Sequence, residues 1–500
     1  MINDSGYSEG GASIRKKNLK AWNPVSLSSK SDINLNLSKL RNRSRDLVMN
    51  SPIGSAVIET TAQYCIGRGL TLFPQINAEI LGLTQEEARE WNRRTAAEFE
   101  LWAMNPETDW NRRNNFYDLQ WIAFESYLID GDSFLVFRRQ RPSIRNPYTL
   151  RLQLLEGNRI CNPNDISYTS GSIMIGGNGN RIVDGVELDQ EGRQVAYWIA
   201  NRVPNDSQES GFGLEWTRVK AIGDRTGFRN ILQITHDIRA DQIRGVPFLA
   251  PVIETLKQIA RYTSAELDSA VVRSYYSVFF TQILGGAQAD LNGLEGEKDE
   301  LLDVSEMKLG SGTIAALPAG VDVKSLDSSR QSSFSGFVTE LIKQIGASLS
   351  IPFEVLMHTF NSSYSASRAA LLQAWDHFSA RRAWFIRDFL RPVYEIWLNE
   401  AILQGRIIAS GFFDDPLTRA AWERAEWHGT RMSLLDSKKE LEATKMKIEL
   451  GLSTREKEAA EIMGTDFDSN VERLEYERRL MNGNTDIRGD WDGDSVEGNQ

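Results

Sequence analysis

The side chains of this 500-residue chain that could carry chemistry are few. Its four histidines, His236, His358, His377 and His428, fall into neither the His-x-x-x-His nor the Glu-x-x-His spacing that holds a metal on one helix face. Asp376 and His377 stand beside Trp375 within a helical pattern, where a pair of surface groups is a simpler reading than a catalytic dyad. Ser305-Glu306-Met307-Lys308 has the serine–lysine spacing of some acyl-transfer enzymes, but nothing near it supplies the usual partners. The run GGNGN from Gly176 to Asn180 lacks the Gly-Lys-Ser/Thr of a phosphate loop and the spacing of a dinucleotide turn, and it reads as a hairpin turn. Arg488-Gly489-Asp490 is a tripeptide that chance explains. Cys65 and Cys161 are too few and too far apart for a disulfide framework or a zinc site, which suits a reducing compartment. The chain is therefore expected to have no catalytic residues, no metal and no cofactor, and not to be an enzyme.

With no reaction centre among its side chains, the chain is organised around one stretch of helix-forming sequence. In residues 334–348, Phe334, Phe337, Val338, Leu341, Ile342 and Ile345 recur at three- and four-residue steps, the period of a helix with one buried stripe. Ser350, Pro352, Asn361, Ser362 and Ser363 break that pattern and predict a loop over 349–363. Residues 364–404 contain no glycine, and Leu371, Trp375, Phe378, Phe385, Phe389, Val393 and Ile396 keep one face apolar. At ~1.5 Å per residue this predicts a helix of about 60 Å, kinked near Arg391 by Pro392 and stopped at Gly405. Trp384 and Trp397 lie off or beside the stripe, which fits either packing within the subunit or contact with a neighbour.

Lys plus Arg number 57 against 68 Asp plus Glu, a net charge of −11. So acidic a balance argues against a protein that grips nucleic acid by its phosphates, though not against a surface past which DNA slides. The 41% hydrophobic and 25% charged content is that of a folded chain, and its length calls for more than one core. No apolar run approaches ~18 residues and the first twelve residues are polar, so neither a membrane span nor a signal peptide is expected. Residues 1–47, with Arg15, Lys16, Lys17, Lys20, Lys39, Arg41, Arg43 and Arg45, read as a basic arm, either solvated or wrapped on a neighbour or on nucleic acid. A helix follows from Asp46 through Val57, Ile58, Thr61 and Cys65 to Gly67 and Gly69. Helices over 85–102 and 115–129 and strands over 134–138, 150–155, 182–188 and 195–199 predict a mixed α+β body.

Pro247 or Pro251 opens a further helix, with Ile253, Leu256, Ala260, Leu267 and Ala270 on one face, that runs to Tyr275. Residues 280–331 are a glycine-punctuated excursion with an acidic stretch at 295–306 and a strand at 312–317. Beyond Gly405 three short helices are expected, the first capped by Asp436, the second by a Ser453–Glu456 capping box and the third by Asp468. Residues 484–500 read as a disordered acidic tail.

The run IPFEVLMHTFNSSYSASRAALLQAWDHFSARRAWFIRDFLRPVYEIWLNEAILQG resembles the corresponding region of lambda-family tailed-phage portal proteins. RNRSRDLVMNSPIGSAVIETTAQYCIGRGLTLFP, GDSF, LEGNRICNP, GVELDQEGRQVAYWI and ITHDIRADQIRGVPFLAPV agree with that family in order, so the resemblance covers most of the chain. It implies an α+β, mainly α portal fold: a wing at 48–250, stem helices at 251–280 and 331–348, a clip at 281–330, a tunnel loop at 349–363, a long kinked wing helix at 364–409 and a helical crown at 410–483. It further implies a dodecameric ring at one capsid vertex of the virion, assembled in the host cytoplasm, through which double-stranded DNA is packaged and ejected. The implied partners are other copies of the chain, the terminase large subunit, the major capsid and scaffolding proteins and a head–tail adaptor, with no membrane. On this basis Glu354, Val355, Leu356, Met357, His358 and Asn361 would line the channel, and Ile253, Leu256, Leu267, Phe334, Phe337, Leu341 and Ile345 would form the stem interface. The loop has no Lys or Arg, so contact with DNA by shape suits it better than a grip on phosphate. A nucleic-acid-processing or terminase-associated enzyme, and a non-ring scaffold, are the alternatives.

Overall fold

Ser51 and Pro52 divide what the periodicity suggests is one helix after Asp46. The Ser51 hydroxyl accepts the Gly54 N–H at 3.3 Å, and Pro52, with no N–H to lose, occupies the first turn of a new helix. The chain thus opens with α1 (Ser29–Asn34), α2 (Leu37–Asn50) and α3 (Pro52–Cys65). In this computed structural model the described residues are 17, 21–22, 24–164, 172–204, 206, 213–275, 279–282, 321–324, 331–359, 364–429, 437–459, 462 and 467–483. They fall into two compact units, Met1–Leu256 with Ile345–Gln500, and Lys257–Gln344.

In the first unit, β1 (Thr71–Pro74) and α4 (Ala78–Leu81) lead to α5 (Gln85–Ala103) and α6 (Phe116–Asp130). Both long helices start at reciprocal capping boxes, Thr84 with Glu87 and Asn115 with Asp118, which fix their N-termini where the sequence predicts them. Next come β2 (Asp132–Arg139), β3 (Leu150–Glu156), β4 (Ile173–Ile175), β5 (Arg181–Val183), β6 (Val186–Leu188), β7 (Gln194–Ala200), β8 (Trp216–Lys220) and β9 (Ile231–Thr235). The strand expected over 182–188 is in fact two, β5 and β6, joined at Asp184 and Gly185, which both take positive φ. The Gly176–Asn180 hairpin forms as expected, with Gly176 donating to Asn180 at 2.8 Å between β4 and β5.

These strands make two antiparallel sheets, β3-β2-β9 and β4-β5-β6-β7-β8. Their apolar faces share one core in which Phe134, Val136, Leu155 and Ile231 meet Val183, Val186, Tyr197 and Ile199.

The second unit holds most of α7 (Ile253–Tyr275), the antiparallel pair β10 (Phe279–Gln282) and β11 (Val321–Lys324), and most of α8 (Gln331–Leu349). The expected strand at 312–317, the acidic stretch 295–306 and Ser305–Lys308 lie outside the described residues.

The first unit resumes with α9 (Phe353–Leu356), α10 (Tyr364–Phe385), a π-helical turn over Ile386–Leu390 and α11 (Arg391–Leu403). The kink expected near Arg391 is this turn: Arg391 donates to Ile386, five residues back, immediately before Pro392, whose ring cannot donate and crowds the turn that precedes it. After Gly405 (φ 68°) come α12 (Pro416–Trp422), β12 (Ala425–His428), α13 (Ser437–Glu449), α14 (Arg455–Glu458) and α15 (Phe467–Gly483). The region is therefore not purely helical, because β12 pairs antiparallel with β1, Thr71 opposite His428 and Pro74 opposite Ala425. Thr454 caps α14, accepting from Lys457 at 3.1 Å, in place of Ser453, and Asp468 sits inside the first turn of α15. Asp436 and residues 484–500, with Arg488–Asp490, lie outside the described residues.

Trp397, Tyr394, Phe99, Trp102, Phe116 and Trp427 form a second core, with Phe99 5.0 Å from Trp397 and 5.8 Å from Phe116 between ring centres. Buried rings of this size contribute about 1.5–3 kcal/mol each by leaving water. Trp397 and Trp384 are thus interior, and Trp384 donates to the Thr235 carbonyl at 3.1 Å. Of the tryptophans on α10 and α11, Trp375 is the partly exposed one, with the Arg382 guanidinium 5.2 Å over its ring.

Candidate functional site

The predicted channel loop begins where Ser350 takes a left-handed φ of 58° and reverses the chain at the end of α8. Ile351, now buried, donates to the Gly346 carbonyl at 2.8 Å. A Cβ on Gly346 would stand 2.4 Å from the Ile351 oxygen, so this return needs glycine there. Pro352 then opens α9, and Val355 and Leu356 both donate to its carbonyl, at 3.1 and 3.0 Å. The segment 349–359 is therefore not an open loop: it contains one helical turn packed against α3 and α10.

Within it the six expected residues separate. Val355 (1% exposed) and Leu356 (2%) are core, which corrects the expectation that they form an apolar tip. Glu354 is half-buried, Met357 and His358 are exposed, and His358 holds a positive φ of 51°. Asn361 lies outside the described residues. The surface this segment can offer is Met357, His358 and Thr359.

The seven expected stem residues separate as well. Leu256 and Ile345 are buried within the chain, which removes them from a surface interface, and Ile253, Phe334 and Leu341 are half-buried. In the second unit Tyr262 stacks on Phe334 at 5.2 Å and meets Phe337 edge-on at 5.3 Å, which joins α7 to α8. On the same two helices Leu267 (63% exposed), Val271 (53%) and Phe337 (52%) stand in solvent.

Sequence reasoning missed the most heavily built polar cluster. Asp132, at the start of β2, is fully buried between Arg41 of α2 and Arg244, both also without exposure. Arg41 Nη2 reaches Asp132 Oδ1 at 2.5 Å, Arg244 Nε reaches Oδ2 at 2.7 Å, and the Gly245 N–H donates to Oδ2 at 3.1 Å. Arg244 also donates to the carbonyls of Gly157 (2.7 Å), Ile160 (2.9 Å) and Asp184 (2.5 Å). Burial alone would raise the Asp132 carboxyl; the two guanidinium groups and the Gly245 N–H outweigh it and hold it below its ordinary value. Gly131 and Gly245 press backbone on backbone beside it, since a Cβ on Gly245 would stand 1.7 Å from the Gly131 oxygen.

Arg45 completes the anchoring of α2 on Asp130 (2.5 Å) and Glu156 (3.1 Å). Arg41 is therefore interior and Arg45 is tied into the fold at its surface, and the arm expected over 1–47 gives way to helix at α1. The signal was in the sequence: Arg41, Gly131-Asp132, Gly157 and Arg244-Gly245 belong to RNRSRDL, GDSF, LEGNRICNP and IRGVPF, four patches far apart in the chain that meet at one carboxylate.

His377 is not a surface partner of Asp376. It accepts from Arg381 Nε at 2.9 Å, and burial together with the Arg381 charge pushes its imidazole down to about 4. Among the described residues no group of three or more His, Cys, Asp and Glu is placed to hold a metal, and no helix is long and apolar enough to cross a membrane.

The model of the lambda-family phage portal proteins matches residues 15–382. The portal protein of Escherichia phage N15 is 26% identical over 93% of this chain and 88% of its own length, and portal protein B of Escherichia phage lambda is 25% identical over 93% and 87%. A probable portal protein of Halomonas phage phiHAP-1 is 25% identical over 82% of this chain and 74% of its own. Among solved structures, a chain in the neck of a native gene transfer agent particle computed with C12 symmetry is 13% identical, with a TM-score of 0.43 over 84% of this chain and 92% of that one. The chain belongs to the lambda family of phage portal proteins, a family of structural proteins.

Proposed function

We propose that copies of this chain close into a twelve-membered ring at one vertex of a tailed-phage capsid, and that the ring is the channel for DNA packaging and ejection. Family membership across residues 15–382 supports the class of function. The observation in the molecule that carries the ring is the exposure of Leu267 and Val271 on α7 and of Phe337 on α8. Apolar patches of this kind mark surfaces that another chain covers. In this reading α7 and α8 are the stem and 281–330 the clip. Residues 48–250 with α10 and α11 form the wing, and the crown begins after β12 instead of at 410. Met357 and His358 face the bore, where a loop with no Lys or Arg passes DNA without holding its phosphates. The terminase large subunit docks on the ring first and a head–tail adaptor replaces it, with capsid and scaffolding proteins around the wing.

Light scattering on the purified chain tests the ring: a closed assembly of many subunits is expected, and Leu267→Asp with Phe337→Asp should give a folded species of single-chain mass, because a carboxylate in an apolar seam costs several kcal/mol. A wild-type chain that stays monomeric at high concentration, or a double variant that assembles normally, would overturn the reading.

A further inference from the structure

The strongest unassigned feature is a basic, apolar-dotted surface on this acidic chain. Residues 110–113 (Trp-Asn-Arg-Arg) form a turn beside β3, folded on the Asp109 carboxylate and tied by the Trp110 N–H to the Leu152 carbonyl at 2.8 Å, and Arg138 of β2 sits 5.7 Å over the Trp110 ring. The segment joining β2 to β3 brings Arg141 and Arg145 to the same end, where the Asn105 side chain, just beyond α5, donates to the Arg145 carbonyl at 2.6 Å. Nearby carboxylates are already engaged, Glu107 by Ser143 and Arg151 and Glu400 by Arg139. Arg112, Arg113, Arg138, Arg141 and Arg145 have no carboxylate partner among the described residues. Leu101, Met104, Trp110 and Ile144 are exposed among them.

The course of α15 says what lies within reach. Arg89 pairs with Asp468 and Arg93 with Glu472, each at 3.6 Å, so α15 runs parallel to α5 in matching steps. Ten residues beyond Arg93 is Ala103, and ten beyond Glu472 is Asn482. Two helices of equal rise that run in the same direction therefore carry the chain from Arg93 and Glu472 towards the end of α5, where Asn105 and Arg145 lie. The segment that follows, 484–500, carries Asp486, Asp490, Asp492, Asp494 and Glu497 against Arg488 alone, with Ile487 and Trp491 among them.

We propose that the acidic segment 484–500 docks on this arginine surface and shields it from other polyanions. Opposite charges meet, Ile487 and Trp491 find the exposed Leu101, Met104, Trp110 and Ile144, and seventeen residues span up to roughly 55 Å, well beyond the width of the patch. The inference does not depend on the ring.

The test compares the full chain with a full-length variant in which Asp486, Asp490, Asp492 and Asp494 become Asn and Glu497 becomes Gln, using a fluorescent peptide of residues 484–500 as probe. A tethered segment competes at an effective concentration near millimolar, so the neutralised variant should bind the peptide about tenfold or more tightly than the wild-type chain. Arg112→Glu with Arg145→Glu in the neutralised background, checked for an unchanged melting temperature, should abolish that gain. Equal peptide binding by wild-type and neutralised chains, or a gain that survives the arginine reversal, overturns the proposal. So does a short DNA duplex that binds the wild-type chain through these arginines while the peptide binds neither form, which would make the patch a nucleic-acid surface.

Discussion

Asp132 is the residue on which four distant segments converge. Asp132→Asn keeps the shape but removes the carboxylate that faces the buried Arg41 and Arg244 guanidinium groups, a change that costs ~3–5 kcal/mol where it has been measured for buried pairs. Urea denaturation should show that loss, and a loss below ~1 kcal/mol would mean that water reaches the cluster. His377 makes a different prediction. Its folded value of about 4 lies below the ordinary 6.5, so the unfolded chain binds the proton first; stability is full above pH 6.5 and falls as pH drops from there towards 4. His236 is lowered too, by burial and by Arg381 and Arg387, so His377→Asn should flatten the pH profile of the melting temperature without levelling it. Neither role was legible from local pattern. Arg41 looks like one more charge in a basic run, and only its partner 91 residues away makes it interior.

Elements whose signals are local matched their predictions, and elements fixed by distant partners did not. The apolar side of α5 and the helical run of α6 place both elements within a residue or two, their capping boxes hold those ends in the structure, and the Gly176–Asn180 turn is a hairpin on its own chemistry. The Asp184-Gly185 turn was equally readable, an Asp-Gly pair between Val183 and Val186, but the β-prone residues on both sides of it read as one strand. By contrast β12 is four residues whose strand character comes from β1, more than 350 positions earlier, and no window of sequence holds that information. The site divides the same way: periodicity found the α8 stripe, but which of its residues a chain buries and which it leaves for others is decided in three dimensions. At this scale Gly346→Ala should displace the Ile351 return and destabilise by ~1–3 kcal/mol, readable as faster hydrogen exchange at Ile351, Val355 and Leu356. The channel-facing residues can be altered without that damage: Met357→Gly with His358→Gly should leave assembly intact and impair DNA packaging or retention. Loss of assembly would show that they are structural.

Across the whole molecule the net charge of −11 sets the terms of any encounter with DNA. A closed ring multiplies that negative field, which lowers adhesion along a channel wall. Wild-type assemblies should therefore bind duplex DNA weakly and with little salt dependence. A steep fall of affinity with salt would instead reveal an uncovered cationic surface, either the arginines of the β2–β3 end or the lysines and arginines of residues 15–20.

The Arg41–Asp132–Arg244 cluster also imposes a schedule on synthesis. Helix α2 leaves the ribosome early, yet the carboxylate it pairs with gains its donors from Arg244 and Gly245 on Oδ2 only some 200 residues after Arg41 has been added. At the usual ~5–20 residues per second that is a wait of roughly 10–40 s. Throughout it, closing Arg41 on Asp132 would bury Oδ2 and the carbonyls of Gly157, Ile160 and Asp184 without the Arg244 guanidinium that donates to them. Translation past residue 245 is the event that completes this cluster, and full closure of the amino-terminal body is expected to follow it.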